Sequence, residues 1–140
     1  MNEKIEVDIR VPNQTRYLGL IGKIGEDIAR TLRRYKGDRE ELAYHLNLVL
    51  TEAMTNAIRH ANEDDPKKEV HIVISIQDEN LNIKVFDQGQ GFDVCAISTP
   101  DFKGLDEHGR GVFIIRTLMD EVTYRKLDGG NVLEMIKALR

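Results

Sequence analysis

The chain has no tryptophan, a single cysteine and no apolar run approaching the length that would span a bilayer. Each shortage excludes a class of protein. The lone Cys95 cannot close an internal disulfide, so a reducing, cytoplasmic home is expected. Aromatic residues make up only 6% of the chain, and Tyr17, Tyr35, Tyr44 and Tyr124 are scattered, so they offer no stacking platform. A net charge of −4 and a pI near 5.6 give no electrostatic reason to bind nucleic acid or a membrane surface. Met1 to Arg10 is charged and alternating rather than apolar, unlike a signal peptide. Partners are therefore expected among small molecules and soluble proteins.

What is present is an ordinary globular composition, with 41% hydrophobic and 31% charged residues. A length of 140 residues predicts one domain over 1–140. Ile5, Val7, Ile9 and Val11 alternate as in a half-buried strand. A helix is expected from Gln14 to Lys36, where Leu18, Ile21, Ile24, Ile28 and Leu32 recur at helical spacing. Gly19, Gly22 and Gly25 each weaken it by about 1 kcal/mol relative to alanine, unless they let another element approach closely. Gly37 should end that helix, and Asp38 should cap the next with Glu41 as its capping-box partner. Leu42, Leu46, Val49, Ala53 and Ala57 make the apolar stripe of this second helix.

Val70 to Ile76 and Leu81 to Val85 read as a hairpin that runs into Asp87. Periodicity is lost from Asp93 to His108, as in a mobile lid. A helix is expected from Gly111 to Met119, then a last hairpin from Val122–Lys126 and Val132–Ala138 across Asp128-Gly129-Gly130. This order predicts an α+β fold, a mostly antiparallel sheet with helices on one face.

Three stretches carry chemistry. Along the second helix, His45, Glu52, Asn56 and Arg59 fall within an arc of about 60° at the border of the apolar stripe. Asn56 offers an oxygen suited to Mg²⁺, and Glu52, one turn away, can take a proton from a nucleophile attacking a γ-phosphate. A solvated surface glutamate and a packed His60 are the plain alternatives. In Asp87-Gln88-Gly89-Gln90-Gly91-Phe92 the carboxylate can accept from the exocyclic amine of a purine, and the glycines let a flat ring approach. A tight turn needing positive φ is the competing explanation. Gly109-Arg110-Gly111, placed at a helix start, suits phosphate; a flexible lid hinge is the alternative.

Together these blocks resemble the GHKL superfamily of ATPases, and within it the small bacterial anti-sigma factor serine/threonine kinases. The blocks are Glu-Ala-Met-Thr-Asn-Ala-Ile-Arg-His from Glu52, Asp-Gln-Gly-Gln-Gly-Phe from Asp87, and Gly-Arg-Gly-Val-Phe-Ile-Ile-Arg from Gly109. The resemblance covers nearly the whole chain. It implies a two-layer α/β sandwich of Bergerat type that binds ATP with Mg²⁺. It implies Glu52 as general base, Asn56 as the Mg²⁺ ligand and Asp87 as the adenine-binding carboxylate. Gly89, Gly91 and Phe92 would lie beside the base, and Gly109, Arg110, Gly111 and Val112 beside the phosphates. Implied partners are a STAS-domain anti-anti-sigma protein, an RNA polymerase sigma factor and a second copy in a homodimer.

The sequence departs from the family where many members carry Gly-Thr in the last hairpin. Here Gly130 is followed by Asn131, expected to replace the threonine contact only in part. No phosphoacceptor-histidine helix precedes the blocks, which argues against a complete histidine kinase. Two functions follow: a protein kinase that switches partners, or a non-catalytic ATP/ADP-binding module whose nucleotide state gates a partner. The retained Glu52 favours the kinase.

Overall fold

The computed structural model describes residues 4–33, 35–89 and 107–139, without the side chains of residues 60–61 and 107–110. The expected lid therefore lies mostly outside the described residues, as do Gly91 and Phe92.

Five strands form one antiparallel sheet: β1 (Ile5–Pro12), β2 (Glu69–Gln77), β3 (Asn80–Asp87), β4 (Glu121–Leu127) and β5 (Gly130–Ala138). Their spatial order is β1-β2-β3-β5-β4. The registers Val7↔Ile74, Ile74↔Ile83 and Ile83↔Met135 carry one apolar row across the sheet. Ile74, Ile83 and Met135 are almost fully buried in that row, each contributing about 1.5–3 kcal/mol by leaving water. The edge strands keep charge on the other face through Glu6, Asp8 and Arg10 on β1 and Glu121 and Arg125 on β4. Exposed charge of this kind discourages edge-to-edge pairing.

Three helices, α1 (Leu18–Thr31), α2 (Arg39–Asn56) and α3 (Glu107–Leu118), cover the apolar face, with α2 packed against both others. This is the two-layer α+β architecture anticipated from the sequence. The first helix is shorter than expected. A 3₁₀ turn (Thr15–Tyr17) precedes it, and at Leu32 the backbone turns extended, with ψ 123°. Two features stop it there. Leu32 buries its side chain, and Arg39 donates to the carbonyls of Leu32 and Arg33, satisfying acceptors a longer helix would have paired itself. Gly37 therefore lies beyond the helix end rather than at it.

The glycines of α1 divide by purpose. A Cβ at Gly22 would stand 2.7 Å from Asn47 Nδ2, and one at Gly25 would stand 2.5 Å from Leu50 Cδ1. Both absences let α1 close onto α2, while Gly19 faces open space. The contact is sealed by Asn47 Nδ2 donating to Glu26 Oε2 at 2.5 Å. At the surface nearby, Arg30 pairs with Glu40 and Glu26, and these contacts, Glu40 first, push its guanidinium pKa further up.

Asp38 caps α2 as anticipated, its Oδ1 accepting from the backbone N–H groups of Glu40 and Glu41. The apolar stripe is buried as read, and Ala43, Leu50, Met54 and Ile58 are buried as well. The helix is thus enclosed by the sheet on one side and by α1 and α3 on the others. Beyond Asn56 it widens into a π-helical turn (Ala57–Ala61), where the N–H of Asn62 donates to Ala57 C=O at 2.8 Å. Such turns concentrate at functional positions.

The β2–β3 hairpin turns on Asp78 and Glu79, both left-handed with φ of 54° and 63°. Aspartate is a common first residue of such a turn, whereas Glu79 stands where glycine is usual.

Candidate active site

The last turns of α2 place the first group. Glu52 is half-buried and Asn56 is buried at 2% exposure, one helical turn apart on the side facing α3. Gly111 of α3 faces them. A Cβ there would lie 2.5 Å from Glu52 Oε2 and 3.7 Å from Asn56 Nδ2. The missing side chain makes the space the carboxylate occupies. Val112, Ile115 and Met119 hold this part of the chain in place by burying themselves in the core.

Helix α3 begins at Glu107, four residues earlier than expected. Gly109, Arg110 and Gly111 therefore lie within its first turns rather than ahead of it. Gly111 matters here as a vacancy against Glu52. Val112 contributes to the core. The side chain of Arg110 is outside the described set.

Arg59 is exposed, and His45 is only half-buried. The arc that grouped Arg59 with Glu52 and Asn56 assumed uninterrupted α-helical periodicity, and the π-helical turn breaks that phase. The His60 side chain lies outside the described residues.

The second group gathers at the end of β3. Asp87 is 4% exposed, and its carboxylate accepts three hydrogen bonds. Gly89 N–H donates to Oδ1 at 3.0 Å, Asn131 Nδ2 donates to Oδ1 at 2.8 Å, and Tyr124 OH donates to Oδ2 at 2.7 Å. The register explains the convergence. Asp87 pairs with Asn131 across β3 and β5, and Tyr124 pairs with Leu133 across β4 and β5, so all three project from the helix-covered face.

Two expectations change here. Asn131 does more than stand in partly for a threonine, since its amide also donates to Gly89 C=O at 2.9 Å and so fixes the loop beside the carboxylate. Tyr124, read as a scattered aromatic, supplies the hydroxyl to Asp87. Gly129, in the β4–β5 turn, adopts positive φ, at 80°. Gly130 is required by contact, because a Cβ there would stand 2.0 Å from Asp87 C=O.

A polar chain runs from the residue after the π-helical turn to the loop beside Asp87. Asn62, fully buried just after the π-helical turn, accepts from Gln88 N–H at 2.7 Å and donates to Asn13 Oδ1 at 2.9 Å. Asn13 in turn donates to Asp65 C=O, and Gln88 Oε1 accepts from Glu69 N–H. The end of β1, the loop before β2 and the residue after Asp87 are thereby tied together. Asn13, Asn62 and Gln88 have no sequence signature beyond being amides near turns.

The residues suit Mg²⁺ in the way a phosphate-bound ion requires. A hard cation bridging phosphates takes one or two protein oxygens and keeps waters. Asn56 offers one carboxamide oxygen, and Glu52 lies one turn away. Among the described residues no three His, Cys, Asp or Glu side chains gather to hold an ion. At the other end, an acceptor-only carboxylate held on fixed donors suits an exocyclic amine.

Comparison with known proteins bears on the family and the fold. The family profile described as histidine kinase-like ATPase domain matches residues 15–137. The chain is 30% identical over 141 residues to the serine-protein kinase RsbW of Bacillus licheniformis, covering 95% of this chain and 85% of that one. It is also 30% identical over 134 residues to the RsbW of Bacillus subtilis, with 90% and 81% covered. Among solved structures, the histidine kinase domain of the blue-light activated histidine kinase of Erythrobacter litoralis superposes with a TM-score of 0.57 at 23% identity. That match covers 92% of this chain and 62% of the other, and speaks to fold alone. No helix among the described residues is long and apolar enough to cross a membrane. The chain belongs to the histidine kinase-like ATPase family, in the serine/threonine protein kinase branch that the RsbW proteins represent.

Proposed function

We propose that the chain acts as a single ATPase domain over 1–140 that transfers the γ-phosphoryl group of ATP to a serine or threonine of a STAS-type antagonist. The same chain would bind and silence an RNA polymerase sigma factor in the cytoplasm, pairing as a homodimer. The observation that carries the reading is Glu52 lodged against the vacancy at Gly111 with Asn56 beside it, on a chain 30% identical to serine-protein kinases over most of its length.

The acceptor hydroxyl attacks the γ-phosphorus and gives its proton to Glu52. The bond from the γ-phosphorus to the bridging oxygen of ADP breaks, and ADP leaves. Asn56 would hold Mg²⁺, which when bound neutralises charge on the phosphates. Asp87 would accept from the adenine amine. Gly89, Gly91 and Phe92 would flank the base, and Gly109, Arg110 and Gly111 the phosphates.

The test is transfer of label from ATP to a purified STAS protein. Glu52→Ala should lower transfer by about 10²–10⁴-fold, the range for a lost general base, with ATP affinity within about threefold. Undiminished transfer by that variant removes Glu52 from the mechanism. ATP binding without transfer by the wild type leaves the gated binding module in its place.

A further inference from the structure

An ionised carboxylate has about four lone-pair sites. At Asp87, Oδ1 is filled by Gly89 N–H and Asn131 Nδ2, and Oδ2 takes Tyr124 OH. Among the described residues one site remains, on Oδ2, the oxygen Tyr124 holds. We propose that Tyr124 is a positioning residue that makes this site choose 6-amino over 6-oxo purine nucleotides. The proposal rests on the ATP reading above.

The argument is one of orientation. Oδ1 is held by a backbone N–H and by an amide that also grips Gly89 C=O, so it is fixed to the loop. Rotation about Cβ–Cγ carries both oxygens together, so a hold on Oδ2 is a second anchor that narrows the swing left by the bonds on Oδ1. Tyr124 supplies that hold from a different strand, with its ring packed against the core and its backbone opposite Leu133. A fixed Oδ2 presents only an acceptor. The amine of a 6-amino purine donates to it, whereas the oxygen of a 6-oxo purine meets it as a second acceptor, an uncompensated contact. Asn131 cannot do this from its position, because its amide donates to Oδ1 and Gly89 rather than Oδ2.

The experiment measures Mg²⁺-dependent binding of ATP and of inosine triphosphate by calorimetry, in the full chain and in Tyr124→Phe. The variant keeps the ring and loses only the hydroxyl. The wild type should prefer ATP by at least about tenfold. In the variant that preference should shrink by about tenfold, through weaker ATP binding, with inosine triphosphate binding changed by less than about twofold. Equal weakening of both nucleotides, or an unchanged ratio, overturns the role of Tyr124 and leaves the ATP site standing. Failure of the wild type to bind ATP overturns the ATP reading and this proposal with it. A second readout needs no variant: the Tyr124 hydroxyl proton, followed by NMR in the wild type, should shift on adding ATP and stay in place on adding inosine triphosphate. Identical shifts with both overturn the assignment.

Discussion

The two ends of the site are built by opposite means. At the base end, side chains from two strands and one backbone N–H fill most of the bonding capacity of one carboxylate, Asp87. At the phosphate end, two helices meet where a side chain is missing, and the vacancy at Gly111 is what Glu52 fills. One end is fixed by bonds made, the other by volume left out. The difference suits the proposed chemistry. A base needs a pre-formed acceptor with fixed direction, whereas a proton acceptor must stay close to a group that arrives and departs.

Four substitutions test this contrast, from the largest expected effect to the smallest. Gly130→Ala strikes the base end through the backbone. Its Cβ would overlap Asp87 C=O at 2.0 Å, so the β3–β5 ladder must part. A loss of about 3 kcal/mol or more is expected in denaturant unfolding, typical of severe overpacking. A loss under about 1 kcal/mol would mean that the strands separate easily there.

Asn62→Ala strikes the buried amide that holds the residue after Asp87. It leaves Gln88 N–H and Asn13 Oδ1 without their buried partner. Unfolding should cost about 2 kcal/mol less than in the wild type, and ATP affinity should fall with it. Preserved ATP affinity in a destabilised variant would show that Asn62 supports the fold without steadying the loop beside Asp87.

Gly111→Ala strikes the phosphate end alone. Its methyl would crowd Glu52 Oε2, an atom at the tip of a movable side chain. Phosphoryl transfer should fall about tenfold or more because the carboxylate is displaced, while ATP affinity should hold within about threefold. A matching loss of ATP affinity would erase the distinction between the two ends.

Glu79→Gly is the remote control. It relieves a left-handed residue in the β2–β3 turn. A gain of up to about 1 kcal/mol is expected, partly offset by the entropy of glycine. Transfer and nucleotide affinity should not change; a change in either would mean that hairpin strain reaches the site.

How much of this could be read from the residues depended on distance along the chain. Helix α2, its Asp38 cap and the Glu52–Asn56 spacing follow from local periodicity, and they hold. The two hairpins follow from alternation and short turns, and they hold too. The early end of α1 did not follow, because it depends on Arg39 reaching back to Leu32 and Arg33. The α3 boundary was misplaced because glycines suggested a helix start where the backbone was already helical. Tyr124 was missed for a topological reason. Alternation could place it on the same face as Val122, but only the pairing of β5 with β3 brings that face beside Asp87. Nothing local announces a contact between strands so far apart in sequence. The core position of the Val112 side chain could not be read from its block either, since burial there depends on how α3 meets the sheet and α2.

The amide pair Asn13–Asn62 has a practical consequence for anyone shortening the chain. Removing the first strand through Asn13 would spare every residue proposed to touch nucleotide. It would also strip the acceptor from a fully enclosed Asn62 amide whose other end steadies Gln88, next to Asp87. Trimmed versions should therefore be judged by whether they still hold adenine nucleotides, because an intact set of motifs does not guarantee an intact pocket.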